Sequence, residues 1–442
     1  PLAILVLMRS MFNWRLIPKM MELKVLLMEV VEENAALSDE ERGNLLGECD
    51  LIMSFLCYND IGAMSQLHRR ASSQMSRPAI SIQNNGGWTF GSPSVLMMFY
   101  RAPGELQSEL QEMDECMPHY YKITNGHGQG AETIMRAEAD FMRACFADAQ
   151  IMLERAYAQI GGNGQENMAL CCDFLAWRLS LCTSFTPRES FEQRREALLQ
   201  QHNVAWLNIL QSSCAYYYAL LGLPEKIPAV FREHQLASIH FLAPGKPMME
   251  LIENQVYLAQ GEYAKVIGHS EALLGMCEAM HYALVALHIR LQTAAAYEML
   301  GKRETADELL ISALAAAEPD ALYLPFVENY RYLKTALTRG AGAKFAAFVR
   351  TVTPLGEDFV RRCGEKRAEG SRPAALAGLT ERESAIAALV AKRLSNREIA
   401  EQLFLSEGSV KQYINQIYSK LLITGDVRTK RKRLAELAAP KS

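Results

Sequence analysis

The chain has 442 residues, a formal net charge of -4 and 50% hydrophobic residues, which is long enough for two or more domains. Charged residues make up 22% of the chain, and 27 glycines and 16 prolines are ordinary globular values, so composition excludes a disordered chain and a fibrous repeat. Aromatic residues are only 8%, whereas alanine, leucine and methionine are abundant. Because unbranched side chains lose little rotamer freedom in a helix, we predict an all-α protein.

The sequence has no run of about 18 apolar residues, which is the length a membrane-spanning helix requires. Its ten cysteines form no Cys-x-x-Cys pair and have no histidine partners at zinc spacing, so we expect reduced, buried thiols, no metal site and a cytoplasmic protein. The chain begins at Pro1 without an initiator methionine or an N-cap signal before its apolar start. We therefore expect a fragment whose upstream part is missing.

Helical units recur before residue 362. A tyrosine, glycine and apolar pattern repeats at glycine spacings of 39 and 40, as Tyr218, Gly222 and Ile227, then Tyr257, Gly261 and Val266, then Tyr297, Gly301 and Ala306. An earlier unit has Ala137, Phe146, Ala149 and Ala156 with a turn near Ala144, a degenerate unit is expected near Leu181, and weaker turns are expected near Asn59 and Asn13. Each unit predicts an antiparallel helix pair that must stack on its neighbours. The pattern resembles tetratricopeptide (TPR) repeats, which implies a TPR-like solenoid.

The charge of the chain is divided unevenly. Residues 371–442 carry 13 Lys and Arg against 7 Asp and Glu, a net of +6, whereas the preceding part carries 33 against 43, a net of -10. This asymmetry predicts a small polyanion-binding module attached to an acidic body. Residues 363–377 are rich in Gly, Glu, Arg, Pro and Ala without apolar periodicity, so we predict a linker there between a repeat domain, 1–362, and a C-terminal domain, 378–442.

The C-terminal domain contains three strong helix-start signals. Thr380 with Glu383 and Ser395 with Glu398 are capping boxes, and Ser406 can cap a third helix. The third helix has an apolar stripe, Val410, Ile414, Ile417 and Leu421, and an opposite polar face, Gly408, Lys411, Gln412, Asn415 and Ser419. A short helix, a tight turn and a longer helix with a polar, cationic face are typical of a helix-turn-helix that reads the major groove.

Three stretches, 379–383, 394–400 and 405–411, resemble the LuxR-type helix-turn-helix of bacterial transcription regulators in order and spacing. The preceding repeats, including 91–95 and 124–128, are similar to the sensor part of the large MalT-like members. In those proteins a nucleotide-binding domain comes first. This sequence has no Gly-x-x-x-x-Gly-Lys-Ser/Thr, so we expect no cofactor in this chain, with ATP bound only by a missing upstream domain.

The resemblance implies a role for each matching residue of a small four-helix domain. Lys411, Gln412 and Asn415 would contact base edges, which suits the donors and acceptors they carry. Phosphate contacts would come from Asn396, Arg397, Ser409, Tyr413 and Lys420. The last helix would form a dimer contact through Val427, Leu434 and Leu437.

Two features of the last part of the domain stand apart from that pattern. The family usually has a glycine where Leu422 stands. The basic run Arg428, Lys430, Arg431, Lys432 and Arg433 fits a solvated helix face and an extra phosphate patch equally well.

These patterns predict a bacterial transcription regulator, not an enzyme. The expected partners are promoter DNA, a second copy or a larger oligomer, RNA polymerase as a further candidate, and an unknown small-molecule or protein effector, with no membrane. The alternative is a TPR-like interaction scaffold tethered to DNA. Residues 125–130 are glycine-rich, but a phosphate cradle needs a preceding strand, so we predict a turn between helices. No nucleophile, base and orienting group can be assembled from spacing.

Overall fold

The structure is a computed structural model that describes residues 1–83, 86–161, 164–200, 204–239, 243–340, 342–370 and 378–438. Every regular element within these ranges is a helix, which confirms the all-α prediction. The chain divides into two compact units, Pro1–Arg361 and Arg362–Ser442. None of the helices described is both long and apolar enough to cross a membrane.

The first nineteen helices begin in the N-terminal unit. They are α1 (Leu2–Asn13), α2 (Ile17–Glu33), α3 (Asp39–Ser54), α4 (Ile61–Gln74), α5 (Leu96–Phe99), α6 (Leu106–Thr124), α7 (Ala131–Met142), α8 (Phe146–Ile160), α9 (Glu166–Cys182), α10 (Phe191–Gln200), α11 (Val204–Leu221), α12 (Ala229–Arg232), α13 (Lys246–Gln260), α14 (Tyr263–Ala279), α15 (Ala283–Met299), α16 (Arg303–Ala317), α17 (Leu324–Glu328), α18 (Tyr330–Gly340) and α19 (Ala346–Gly370).

The predicted helix pairs are confirmed at three of the expected turns. Gly261 joins α13 to α14 and Gly301 joins α15 to α16, both with a left-handed backbone, and Ala144 joins α7 to α8. The pair predicted around Gly222 is wrong in its second helix, because only the short α12 follows α11. Pro224 and Pro228 lie in this stretch, and proline lacks the N–H that a continuing helix needs.

A row of helices links the N-terminal unit from one repeat to the next. Helix α7 packs on α9, α9 on α11, α11 on α13, α13 on α15 and α15 on α18. Near Leu181, where a degenerate unit is expected, α9 ends and is followed by α10, which packs on α11. The turns near Asn59 and Asn13 separate α3 from α4 and α1 from α2. This row of helices is the arrangement that a helical-repeat solenoid requires.

A buried ion pair crosses this row of helices. Arg178 of α9 donates to Glu328 of α17 with Nε 2.8 Å from Oε1, and the Tyr216 hydroxyl of α11 donates to the same carboxylate at 2.8 Å. All three residues are buried. Their helices are thereby joined across 150 residues of sequence, a separation at which local sequence patterns give no signal.

The predicted linker is helical in its first part. Helix α19 extends from Ala346 to Gly370, so residues 363–370 continue a helix, and 371–377 lie outside the described residues. The predicted linker therefore begins within a helix. Glutamate, lysine, arginine and alanine, which fill 365–369, are good helix formers and need no apolar periodicity to continue a helix.

Most cysteines are buried as expected, but Cys145 is exposed. It occupies the turn between α7 and α8, where the chain reverses at the surface. Burial raises the pKa of Cys49 to about 11, so this thiol stays protonated at neutral pH.

The glycine-rich stretch at 125–130 forms the turn between α6 and α7, which confirms that prediction. Gly128 has a φ of 72°. A Cβ atom at this position would lie 2.2 Å from Cδ1 of Trp88, whereas a Cβ at Gly301 would have no heavy atom within 4 Å. The turn therefore supports the Trp88 indole at a distance that only glycine allows.

We expect Gly128→Ala to lower the free energy of unfolding by about 2–4 kcal/mol, because left-handed strain adds to a clash with a packed ring. Gly301→Ala is the matched control, with left-handed strain alone and an expected loss of about 1 kcal/mol. Urea unfolding followed by circular dichroism measures both. Equal losses would contradict the close packing of Trp88 on Gly128.

Candidate nucleic-acid interface

The C-terminal unit contains four further helices, α20 (Glu381–Ala391), α21 (Asn396–Leu403), α22 (Glu407–Lys420) and α23 (Val427–Ala438). Both predicted capping boxes form at Thr380 and Ser395, and the side chain of Ser406 accepts a hydrogen bond from the Ser409 backbone N–H. The sequence therefore places the starts of α20, α21 and α22 correctly. These caps satisfy backbone donors that a helix start otherwise leaves unpaired.

One apolar core holds the four helices together. It is formed by Leu379, Ile386, Ala387, Val390, Ile399, Ala400, Val410, Ile414, Ile417, Tyr418, Ile423 and Leu434. The predicted stripe of α22 is part of this core, with Leu421 partly buried against it. Helix α22 packs on α20 and α21, so one of its faces is fixed inward.

The turn between α21 and α22 is short and has a defined backbone. Phe404 adopts a left-handed conformation with φ of 53°, and Leu405 N donates to Ala400 O at 2.9 Å. The Phe404 side chain is 96% exposed, so it contributes nothing to the core. This turn sets the angle between the two helices of the helix-turn-helix.

Three predicted base-contact residues lie together on the outer face of α22. Lys411, Gln412 and Asn415 are all exposed. None of them makes a hydrogen bond or ion pair to another side chain of the described ranges. Their donors and acceptors are therefore available to an external partner, and the i, i+1, i+4 spacing places them on one side of the helix.

The predicted phosphate contacts on α21 differ in their surroundings. Arg397 is exposed and pairs with Glu401, 3.2 Å away, in a surface ion pair of little strength. Asn396 uses its amide oxygen to accept from Arg431, at 2.7 Å, and Arg431 also donates to the backbone oxygen of Leu394 at 2.6 Å. Arg431 therefore ties α23 to the start of α21.

The remaining predicted phosphate contacts lie on α22. Ser409 bonds to Ser406 with their hydroxyl oxygens 2.8 Å apart, and Tyr413 is half-buried against the core. Lys420 donates to Oε2 of Glu383 at 2.7 Å, although this lysine is partly exposed. Glu383 is 3% exposed and belongs to the first capping box, so Lys420 has a structural partner.

Sequence comparison assigns this unit to a family. Residues 377–431 match the family described as bacterial regulatory proteins, luxR family. The C-terminal unit is a LuxR-type helix-turn-helix domain. The chain is 41% identical over 63 residues, 13% of its length, to the transcriptional regulatory protein LnrK of Bacillus subtilis, covering 29% of that protein. It is 39% identical over 46 residues, 10% of its length, to the DNA-binding transcriptional activator DevR/DosR of Mycobacterium tuberculosis, covering 21%. The chain thus spans less than a third of the length of these relatives.

The dimer contact expected on the last helix of the LuxR-type domain is wrong at Leu434. This side chain is fully buried in the core of its own domain, because α23 packs against α20. Leu437 is partly buried against the same core. Val427 is exposed, so only this member of the predicted set is available to a second copy.

Leu422 occupies a position that favours glycine. Its φ is 52° and its side chain is 85% exposed. Leu422 N donates to Ser419 O at 3.2 Å and Ile423 N donates to Tyr418 O at 2.8 Å, which is the hydrogen-bond pattern of a Schellman motif. Helix α22 of the LuxR-type domain therefore ends in the usual way, with a strained leucine in place of glycine.

Several polar residues of this domain were not predicted from the sequence. Lys392 and Arg393 are exposed in the turn before α21, and Asp426 Oδ1 accepts from Thr429 N at 2.8 Å, which caps α23. The aspartate could have been found from its position before the basic helix. The residues of the basic run have different surroundings. Arg431 makes hydrogen bonds within the domain, whereas Arg428 and Arg433 are exposed.

We expect Leu422→Gly to raise the free energy of unfolding of the LuxR-type domain by about 0.5–1 kcal/mol. Relief of left-handed strain exceeds the cost of the greater freedom of glycine in the unfolded chain. Leu422→Ala removes the same exposed side chain but keeps the strain, so it should change stability by less than about 0.5 kcal/mol. Native-state hydrogen exchange of the α22 amides measures the stability of both variants. An equal gain in stability in the two variants would contradict left-handed backbone strain at Leu422 as the cause.

We expect Lys420→Met to lower the stability of the domain by about 1 kcal/mol, since it leaves the buried Glu383 carboxylate without its cation. Lys411→Met is the matched control on the same helix and should have almost no effect. Burial alone would raise the pKa of Glu383, but hydrogen bonds from Lys420 and Thr380 and the lysine charge lower its pKa overall.

The stabilisation from this pair is therefore present above the unfolded pKa of a glutamate and is lost on acidification through the lowered pKa of Glu383. Comparing wild type with Glu383→Gln by hydrogen exchange should show a difference at neutral pH that shrinks below about pH 4. A difference that persists unchanged in acid would contradict an ionised Glu383.

Proposed function

We propose that this chain is a transcription regulator in which α22 enters the major groove of promoter DNA. The observation that carries the proposal is the outer face of α22, where exposed Lys411, Gln412 and Asn415 have no partner within the domain. The opposite face of the same helix is committed to the core. An exposed, uncommitted polar face on the second helix of a helix-turn-helix is the arrangement that base readout needs.

The chemistry of the three side chains suggests what each would read. Lysine donates to the O6 and N7 atoms of guanine. Glutamine and asparagine each offer a donor and an acceptor on one amide, which matches N6 and N7 of adenine. We propose that Lys411, Gln412 and Asn415 set the sequence preference in this way.

The phosphate contacts would fix the position of α22 in the groove. Among the cations predicted to contact phosphates, Arg397 is the least constrained, because both side chains of its ion pair with Glu401 are exposed. Asn396 gives only its amide oxygen to Arg431, so its NH2 group can donate to a phosphate. We propose that Lys420 bridges Glu383 and a phosphate, since its ammonium is partly exposed.

We propose that the repeats of the N-terminal unit sense an effector or partner, as in the MalT-like sensors that the sequence resembles. A groove of about 950 Å³ lies between α14, α15 and α16. Its floor includes Arg290, Thr293 and Tyr297 of α15. The lining also includes Arg101, three glutamates and several apolar side chains, among them Leu274 and Leu287. A groove of this size and mixed polarity suits a small polar ligand or a short peptide.

The remaining parts of the proposal follow from the LuxR-type domain. The regulator would act as a homodimer or larger oligomer on DNA, with RNA polymerase as a further candidate partner, in the bacterial cytoplasm. We propose a binding function without catalysis and without a cofactor in this chain.

We expect Lys411→Ala to weaken binding of the full chain to its preferred duplex by about 1–3 kcal/mol while leaving binding to scrambled DNA nearly unchanged. Arg397→Ala should weaken binding to both duplexes alike and reduce the salt slope by about 1. Lys19→Ala removes one exposed charge from the N-terminal unit and is the control. Fluorescence anisotropy across a salt series measures all four proteins. An equal loss on both duplexes for Lys411→Ala would rule out base reading by this residue.

The effector proposal has a separate test. A small molecule that raises the melting temperature of wild type but not of Arg290→Ala, and that also changes DNA affinity, would support a sensor. Protein partners captured without any ligand that changes DNA affinity would favour the scaffold alternative.

A further inference from the structure

Two segments of the LuxR-type domain that are distant in sequence meet beside the start of α21. Arg431 of α23 donates to the backbone oxygen of Leu394 at 2.6 Å and to the amide oxygen of Asn396 at 2.7 Å. Leu394 lies in the turn between α20 and α21, and Asn396 is the first residue of α21. These hydrogen bonds hold one side of α23 against that turn, across 37 residues of sequence.

Three exposed cations flank this junction. Lys392 and Arg393 directly precede Leu394, and Arg428 lies three residues before Arg431, which places both arginines on the same side of α23. We call Lys392, Arg393 and Arg428 the junction patch. Within the described residues, none of the three takes part in an ion pair or a side-chain hydrogen bond. Their charges are therefore available to an external anion.

The carboxylates nearest to the junction patch already have partners. Glu398 accepts from the backbone N–H and the hydroxyl of Ser395, each at 2.7 Å. Oδ1 of Asp426 accepts from Thr429 N at 2.8 Å. The patch and Arg431 thus supply four positive charges against the two negative charges of Glu398 and Asp426, so the junction has a positive field.

The backbone of Arg393 allows its charge to be removed without damage to the fold. Its φ is 63°, and Arg393 N donates to Val390 O at 2.9 Å while Leu394 N donates to Leu389 O at 3.3 Å. This is the hydrogen-bond pattern of a Schellman motif, with Arg393 in the position that favours glycine. Leu422 occupies the equivalent position at the end of α22.

We propose that the junction patch binds the phosphate backbone of duplex DNA beside the groove that α22 enters. This proposal rests on the proposed function. The patch adjoins the start of α21, where Asn396 and Arg397 are the expected phosphate contacts, and Arg431 joins α23 directly to Asn396. Exposed cations at this place extend the phosphate contacts onto the turn before α21 and onto α23, which adds affinity without reading sequence.

The test measures fluorescence anisotropy of the full chain on a long duplex of random sequence across a salt series. Arg393→Gly and Arg428→Gln should each lower the salt slope by about 1 and weaken binding at 0.1 M salt by roughly 3- to 10-fold, because each removes one phosphate contact. Arg393→Gly should also slow hydrogen exchange of the α20 amides, since glycine relieves the left-handed strain. Weaker binding by a more stable protein cannot result from unfolding.

Leu422→Gly is the matched control, because it relieves the same kind of strain without a change of charge. It should slow exchange of the α22 amides and keep the wild-type salt slope. Unchanged slopes for both arginine variants, with wild type bound, would overturn the junction patch and leave base reading by α22 untouched. Tighter DNA binding by both variants would overturn it in favour of an acidic protein partner. Failure of wild type to bind any duplex would contradict the proposed function and the junction patch together.

Discussion

The packing of one face of α22 against α20 and α21 determines what the LuxR-type domain can do. Val410, Ile414 and Ile417 are buried in the core, which fixes the rotation of the helix about its own axis. Lys411 and Asn415 are one residue further along and therefore lie outside. Because a helix turns about 100° per residue, the residues of α22 that fill the core are different from those that would contact base edges. The candidate recognition surface is thus a direct consequence of the core.

Several cations of this domain serve its internal structure. Arg431 joins α23 to the backbone before α21, and Lys420 compensates a carboxylate that caps α20. Such residues hold the helices at fixed positions, which gives the outer face of α22 a defined shape before any DNA arrives. In our proposal, Asn396 and Lys420 combine both tasks, because each has a polar atom left for a phosphate after its internal bond is made.

Local signals in the sequence predicted local structure well. The capping residues Thr380, Ser395 and Ser406 begin helices where expected, since a cap acts within four residues of itself. The turns at Gly261 and Gly301 were equally predictable, because a left-handed backbone between two apolar patterns favours glycine. For the candidate site, the spacing of the apolar residues in α22 was enough to predict which face of the helix points outward.

Long-range packing was not predictable from the sequence. Leu434 belongs to an apolar pattern that fits a dimer contact as well as a core, and only the position of α23 on α20 decides between them. The pairing of Arg178 with Glu328 and the contact of Trp88 with Gly128 likewise join distant segments. The second helix expected after Gly222 does not form, because two prolines follow that glycine. This local signal was present in the sequence, but the repeat pattern was given more weight.

The most direct test of the account selects bound duplexes from a random pool with the full chain, and compares wild type with the triple variant Lys411→Ala, Gln412→Ala and Asn415→Ala. The account predicts that wild type enriches a motif, whereas the triple variant binds the pool in a salt-dependent way without enriching any motif. Enrichment of the same motif by both proteins would contradict base readout by α22. Failure of wild type to bind any duplex at low salt would contradict DNA recognition altogether.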